Sequence, residues 1–194
     1  IKQNYTRRRL YKCYIAIVTC TVSRAIHLEL QPDLSAPSLI RCMNRCFSRR
    51  GTPSLVISDN HKTFRSKPIR NFATQNYMRW KYILEKTPQW GGFYERLIGL
   101  VERLLRKQLK TARLTYEELE TVITQIEGVL NSRPLTHIAD DDTREAITPN
   151  HLIYGRRLNS RAMLSMDKLT PTKRLRHVRD VIAKFWNRFS NEYM

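Results

Sequence analysis

The spacing of apolar residues changes along the chain, sorting it into short strands and amphipathic helices. Residues 11–22 (YKCYIAIVTCTV) are almost continuously apolar and rich in β-branched side chains, the pattern of a strand. Over 25–30, Ile26, Leu28 and Leu30 alternate with His27 and Glu29, predicting a half-buried strand with His27 and Glu29 as an outward pair. The intervening TVSR makes the turn of an antiparallel hairpin. Ser35 then caps a helix, with Pro37 in its first turn and Leu39, Ile40, Met43 and Phe47 on its buried face. Gly51 suits the C-cap, and Pro53 follows. Leu55, Val56 and Ile57 form a short apolar run that stops at Ser58-Asp59-Asn60, as a buried strand does. A short basic helix over 64–72 and a strand over 79–84 (RWKYIL) come next.

In the second half, Gly91-Gly92 breaks the chain, and Glu95 opens a helix with Leu97, Val101, Leu104 and Leu105 on one face. Thr115 and Glu118 make a capping box for a helix carrying Leu119, Val122, Ile123, Ile126 and Leu130. Asn131 to Pro134 stop it. Asp140, Asp141 and Asp142 read as a solvated acidic loop, and the stretch with Pro149 and Gly155 as loop-rich. A last helix over 173–194 bears Val178, Val181, Ile182, Phe185, Trp186 and Phe189 on one stripe, with no evident partner in the first part of the chain. Strands interspersed with helices predict an α/β fold.

Charge narrows the function. The 194 residues carry a formal net charge of +18, which points to a polyanion, nucleic acid before an anionic membrane surface. No apolar run is long enough to span a bilayer, so no membrane partner is expected. The chain does not begin with Met and is expected to start inside a longer reading frame. Cys13, Cys20, Cys42 and Cys46 form no CxxC pair and have no matching His spacing, which predicts buried, reduced thiols rather than a zinc site.

Two carboxylates stand out by context. Asp59 ends a predicted strand, where open α/β sheets place their ligands, and Glu95 opens an amphipathic helix after a double glycine. Taken singly, Asp59 is a turn aspartate and Glu95 a first-turn glutamate favoured by the helix dipole. As a pair on rigid supports they suit two-metal phosphoryl transfer, in which cations roughly 3.5–4 Å apart activate the attacking oxygen and stabilise the leaving one. Magnesium typically takes one or two protein carboxylates.

With these residues in view, the chain resembles the integrase core of Bel/Pao-type LTR retrotransposons. The resemblance rests on SRAIHLEL (23–30), RRGTPSLVISDNHKTF (49–64), PQWGGFYERLIGLVERLLRK (88–107), LTYEELETVITQIEGVLNSRPLT (114–136) and ITPNHLIYG (147–155), in family order. FWNRFSNEYM (185–194) is similar to the opening of the region that follows the core. The implied division is a catalytic core over 1–157, then a linker and amphipathic helix over 158–194. The implied fold is ribonuclease H-like, a mixed five-stranded sheet with helices on both faces, here N-terminally truncated in its first strand. The implied activity is DNA integration, in which element ends are processed and the 3′-hydroxyl strand is transferred into target DNA. By the same resemblance Asp59 and Glu95 are catalytic and bind magnesium or manganese, Asn60 is a positioning residue, and Arg7, Arg8, Arg9, Lys62, Arg96, Arg103 and Lys107 face nucleic acid. DNA ends and target duplex are the implied partners, with homo-oligomers, a cytoplasmic particle and then a nuclear integrating complex.

The departures from the family pattern shape the expectation too. The family's first aspartate has no counterpart, since Glu29 and Asp33 are the only acidic residues before Asp59 and both lie beyond the hairpin strand. The zinc-binding His/Cys domain that precedes the family's core is missing. His61-Lys62-Thr63 stands where the family has Gly-Thr-Asn, a bulky residue in place of a loop glycine. Glu102, seven residues after Glu95, stands where a lysine faces DNA. These departures predict a fragment or decayed copy, incomplete as a catalyst. The alternative is a non-catalytic nucleic-acid-binding protein derived from an integrase.

Overall fold

The computed structural model describes residues 12–83, 92–109, 114–135, 146–156, 158 and 173–193. Its elements run β1 (Tyr14–Thr19), β2 (Ile26–Gln31), α1 (Ala36–Arg50), β3 (Leu55–Ser58), α2 (Lys67–Gln75), β4 (Arg79–Tyr82), α3 (Gly92–Leu109), α4 (Tyr116–Asn131), α5 (Pro149–Tyr154) and α6 (Lys173–Tyr193). They group into two compact units, Ile1–Ala16 with Leu30–Leu84, and Ile17–Glu29 with Glu85–Met194. Among the described residues the strands form two pairs, β1 with β2 and β3 with β4, rather than one five-stranded sheet. The first strand expected at residues 1–3 lies outside the described residues.

The first unit is built on a strand–helix–strand crossover. The Ser35 hydroxyl accepts the Ser38 N–H at 3.3 Å and starts α1, whose buried face carries Leu39, Cys42, Met43 and Cys46. Gly51 ends it at φ 84°, a conformation costly for a residue with a Cβ, and returns its N–H to the Phe47 carbonyl at 2.8 Å. The turn brings the chain into β3, which pairs in parallel with β4 from Leu55 opposite Arg79 to Ser58 opposite Tyr82. The connecting α2 buries Ile69, Phe72 and Ala73, and Phe72 stacks on Phe47 of α1 with ring centroids 6.1 Å apart. β3 is half-buried, not fully buried as its apolar run predicts, and Ile57 is 42% exposed. It has a strand neighbour on one side only among the described residues.

The second unit corrects two expectations. β2 is buried on both faces, and His27 and Glu29 are 4% and 5% exposed instead of facing solvent. Helix α4 is the reason. Glu127 reaches His27 Nδ1 at 3.0 Å and also accepts the Leu28 N–H at 2.9 Å. Asn131 Oδ1 accepts the Ile26 N–H, and its Nδ2 donates to the Ile26 carbonyl, both at 2.7 Å. Buried Arg133 donates to the Arg24 carbonyl at 2.6 Å. Helix α6 packs on α3 and α4, both in the second half of the chain, through Val178, Val181, Phe185 and Phe189. The second correction is that the loop-rich stretch holds α5, six residues long, and Gly155 closes it at φ 68°. The cysteines are all free, but Cys20 is exposed and Cys13 half-buried, because they flank β1 instead of lying within it.

The joint between α4 and α6 is titratable. Thr115 and Glu118 form the predicted capping box, and Glu118 also receives a two-pronged bond from Arg174, with Nη2 to Oε2 at 2.6 Å. That bond, against some opposing burial, lowers the Glu118 carboxyl from 4.5 to about 2. A depressed folded-state value stabilises the fold above pH 4.5 and is lost as the pH falls toward 2. Arg174 is half-exposed, so solvent screens the pair to about 1 kcal/mol. Glu118→Gln is expected to lower stability by that amount at pH 7 and by about a quarter of it at pH 2.5, where the folded-state carboxyl is still mostly ionised. Equal losses in denaturant titrations at both pH values would show that the ion pair contributes nothing.

Candidate active site

Asp59 follows the last residue of β3, at the strand's C-terminal tip, as predicted. It is exposed, and its Oδ1 accepts the His61 N–H at 3.0 Å, folding the loop back on itself. His61 fits there without strain. The described non-glycine residues at positive φ are Arg24 (58°) and Tyr77 (54°), so the missing loop glycine is not needed for a left-handed turn. Thr63 ties the same loop to the Leu34 carbonyl at 2.8 Å. A shallow cavity borders Asp59, walled by Leu34, Leu39 and Phe64.

Asn60 holds the loop to β4. Its Nδ2 donates to the Ile83 carbonyl at 2.6 Å, and its Oδ1 accepts from Arg65 Nη2 at 2.6 Å. Arg65 in turn lies over the Tyr82 ring at 5.4 Å, and the Tyr82 hydroxyl donates to the Phe64 carbonyl at 3.0 Å. Trp80 Nε1 donates to the Ser58 hydroxyl at 2.9 Å, just before Asp59. Thus Trp80, Tyr82 and Arg65 support the carboxylate-bearing tip, although no motif marked them. The period-2 pattern of RWKYIL, which sets Trp80 and Tyr82 on one face of β4, was the available signal.

Glu95 and Arg96 lie in the first turns of α3, which begins at Gly92, three residues earlier than predicted; their side chains lie outside the described ones. Asp59 belongs to the first unit and Glu95 to the second. Further along α3, Val101 and Leu104 are fully buried while Glu102, Arg103, Arg106 and Lys107 are exposed. Glu102 stands 3.9 Å from Arg106. Lys62 is exposed in the Asp59 loop. Arg7, Arg8 and Arg9, and the acidic run 140–142, lie outside the described residues.

As a metal centre, the described residues offer one ligand. Among them no three His, Cys, Asp or Glu side chains converge, and the one site carboxylate, Asp59, already spends one oxygen on His61. A two-ion site needs more carboxylate than that. No described helix is long and apolar enough to cross a membrane.

Comparison with known proteins meets this geometry. Residues 2–88 match the family profile of the integrase core domain. The catalytic core of HTLV-2 integrase, solved in complex with magnesium, superposes with a TM-score of 0.55 at 20% identity, over 77% of this chain and 90% of that one. The BIV integrase core gives 0.54 at 18% identity, over 72% and 84%. A simian T-cell lymphotropic virus intasome, solved with the PP2A regulatory subunit B56 gamma, gives 0.54 at 18% identity, over 81% and 60%. No curated protein matches the chain in sequence. The fold is that of the ribonuclease H-like integrase catalytic core.

Proposed function

We propose that the chain acts in DNA integration as the core of a Bel/Pao-type retrotransposon integrase, holding DNA while supplying part of a two-metal site for strand transfer. The observation that carries this reading is Asp59 at the tip of β3, in a loop fastened to β4 through Asn60. Asp59 and Glu95 are the proposed ligands of magnesium or manganese, and Asn60 positions the loop. Arg7, Arg8, Arg9, Lys62, Arg96, Arg103 and Lys107 are proposed to meet phosphate, in a homo-oligomer whose integrating complex is nuclear. The 194 residues hold two proposed ligand carboxylates where the reaction takes three. The exposed Glu102 on α3 favours a second reading, a protein that binds nucleic acid without reacting.

The expected result is duplex binding without sequence preference, its log affinity falling linearly with log salt, and no joining of DNA ends in magnesium or manganese. An aspartate-bearing strand supplied ahead of Ile1 is expected to restore joining, and Asp59→Asn or Glu95→Gln in that longer chain to abolish it while binding persists. Joining that survives both substitutions would remove Asp59 and Glu95 from the site. Binding that never leads to joining favours the second reading.

A further inference from the structure

The motifs single out α3 as the helix that faces DNA, but the charges of the described fold point to another surface. Residues 30–83 hold ten Lys or Arg and two acidic residues, Asp33 and Asp59. Helix α1 has four arginines and no carboxylate, and its exposed residues Arg41, Asn44, Ser48 and Arg49 recur at spacings that share one face. Helix α2 repeats the pattern with Lys67, Arg70, Asn71 and Thr74, again without a carboxylate. Asp33 lies within electrostatic reach of Arg41, but its Oδ1 is taken by the Ser35 N–H at 2.8 Å. On α3, by contrast, exposed Glu102 sits among the cations, and the exposed side of α4 carries Glu117 and Glu120.

An ordinary solvated helix face mixes both signs of charge. Two helices packed together whose exposed cations stand among uncharged residues, Asn, Ser and Thr foremost, have the side chains that bind phosphate oxygens. The exposed arginines of α1, Arg41 and Arg49, lie about 12 Å apart along its axis, a span of three to four rises of about 3.4 Å between phosphates of one strand. Neither helix exposes a large apolar side chain, which a membrane-surface helix needs for insertion.

We propose that the outward faces of α1 and α2 form a DNA-backbone surface distinct from α3, gripping duplex without reading its bases. This rests on the proposed function only for the identity of the polyanion as DNA. The test compares the whole chain with its Arg41→Ala/Lys67→Ala/Arg70→Ala variant, using a random-sequence duplex across a salt series. Each lost phosphate contact removes about 0.9 from the slope of log affinity against log salt, so the variant's slope is expected to be shallower by about 2.7 with an unchanged melting temperature. An Arg103→Ala/Lys107→Ala variant is expected to change the slope less. A triple variant with the wild-type slope overturns this surface and leaves the proposed function standing. Tighter binding to anionic phospholipid vesicles than to duplex also overturns it. A wild-type chain that does not bind duplex overturns the proposed function, and this surface with it.

Discussion

Phe185→Ala is expected to destabilise the chain by about 3–5 kcal/mol, the range for emptying an aromatic site in a packed core. Phe185 is fully buried on α6, stacked on Phe189 with centroids 6.3 Å apart, in a helix that packs on both α3 and α4. Removing the ring strips buried apolar surface from three helices at once. The fully buried Val101 and Leu104 of α3 and Ile126 of α4 belong to helices that cannot collapse into a void independently. For a chain of this length the melting temperature should fall by about 10 °C. Phe185→Leu keeps most of the volume and is expected to cost less than half as much. If calorimetry finds the alanine variant within about 1 kcal/mol of wild type, α6 is an appendage and not part of the core.

Asn131→Leu is expected to cost about 2–5 kcal/mol by a different route, because it leaves the N–H and carbonyl of Ile26 buried without partners. Asn131 is 1% exposed and makes both bonds at 2.7 Å, as a neighbouring strand would. Asn131→Asp separates hydrogen bonding from packing. It is isosteric and still accepts from the Ile26 N–H, but it turns a second acceptor, charged at pH 7, toward the Ile26 carbonyl. Both variants are expected to unfold at markedly lower denaturant than wild type. An aspartate variant as stable as wild type would show that Asn131 matters only by its shape.

Elements whose ends carry local chemistry were legible in the sequence. Ser35 and Gly51 bound α1, Thr115 and Glu118 open α4, and the stop at Ser58-Asp59-Asn60 sets Asp59 at a strand tip. What escaped depends on residues far apart in the chain. Alternation in 25–30 predicts one wet face, and nothing in β2 itself tells that Glu127 and Asn131 cover the other from about a hundred residues away. Glu127 looks like any surface glutamate of a helix. The fastening of the Asp59 loop was hidden for the same reason, since Asn60 meets Ile83, and Arg65 meets Tyr82, only after α2 has crossed over. The six residues of α5 are too few to show a period.

The cations of α1, α2 and β4 have a thermodynamic side as well. Ten positive groups against two carboxylates over 30–83 repel one another in the folded state, where they are held closer than in an open chain. Added salt screens that repulsion within a Debye length of about 10 Å at 0.1 M. The same salt weakens any grip on phosphate by competing with counterion release. Ionic strength therefore pulls this unit two ways, toward a firmer fold and a looser hold on a polyanion. A bound phosphate backbone resolves the conflict by supplying the missing negative charge itself, so that binding and folding reinforce each other.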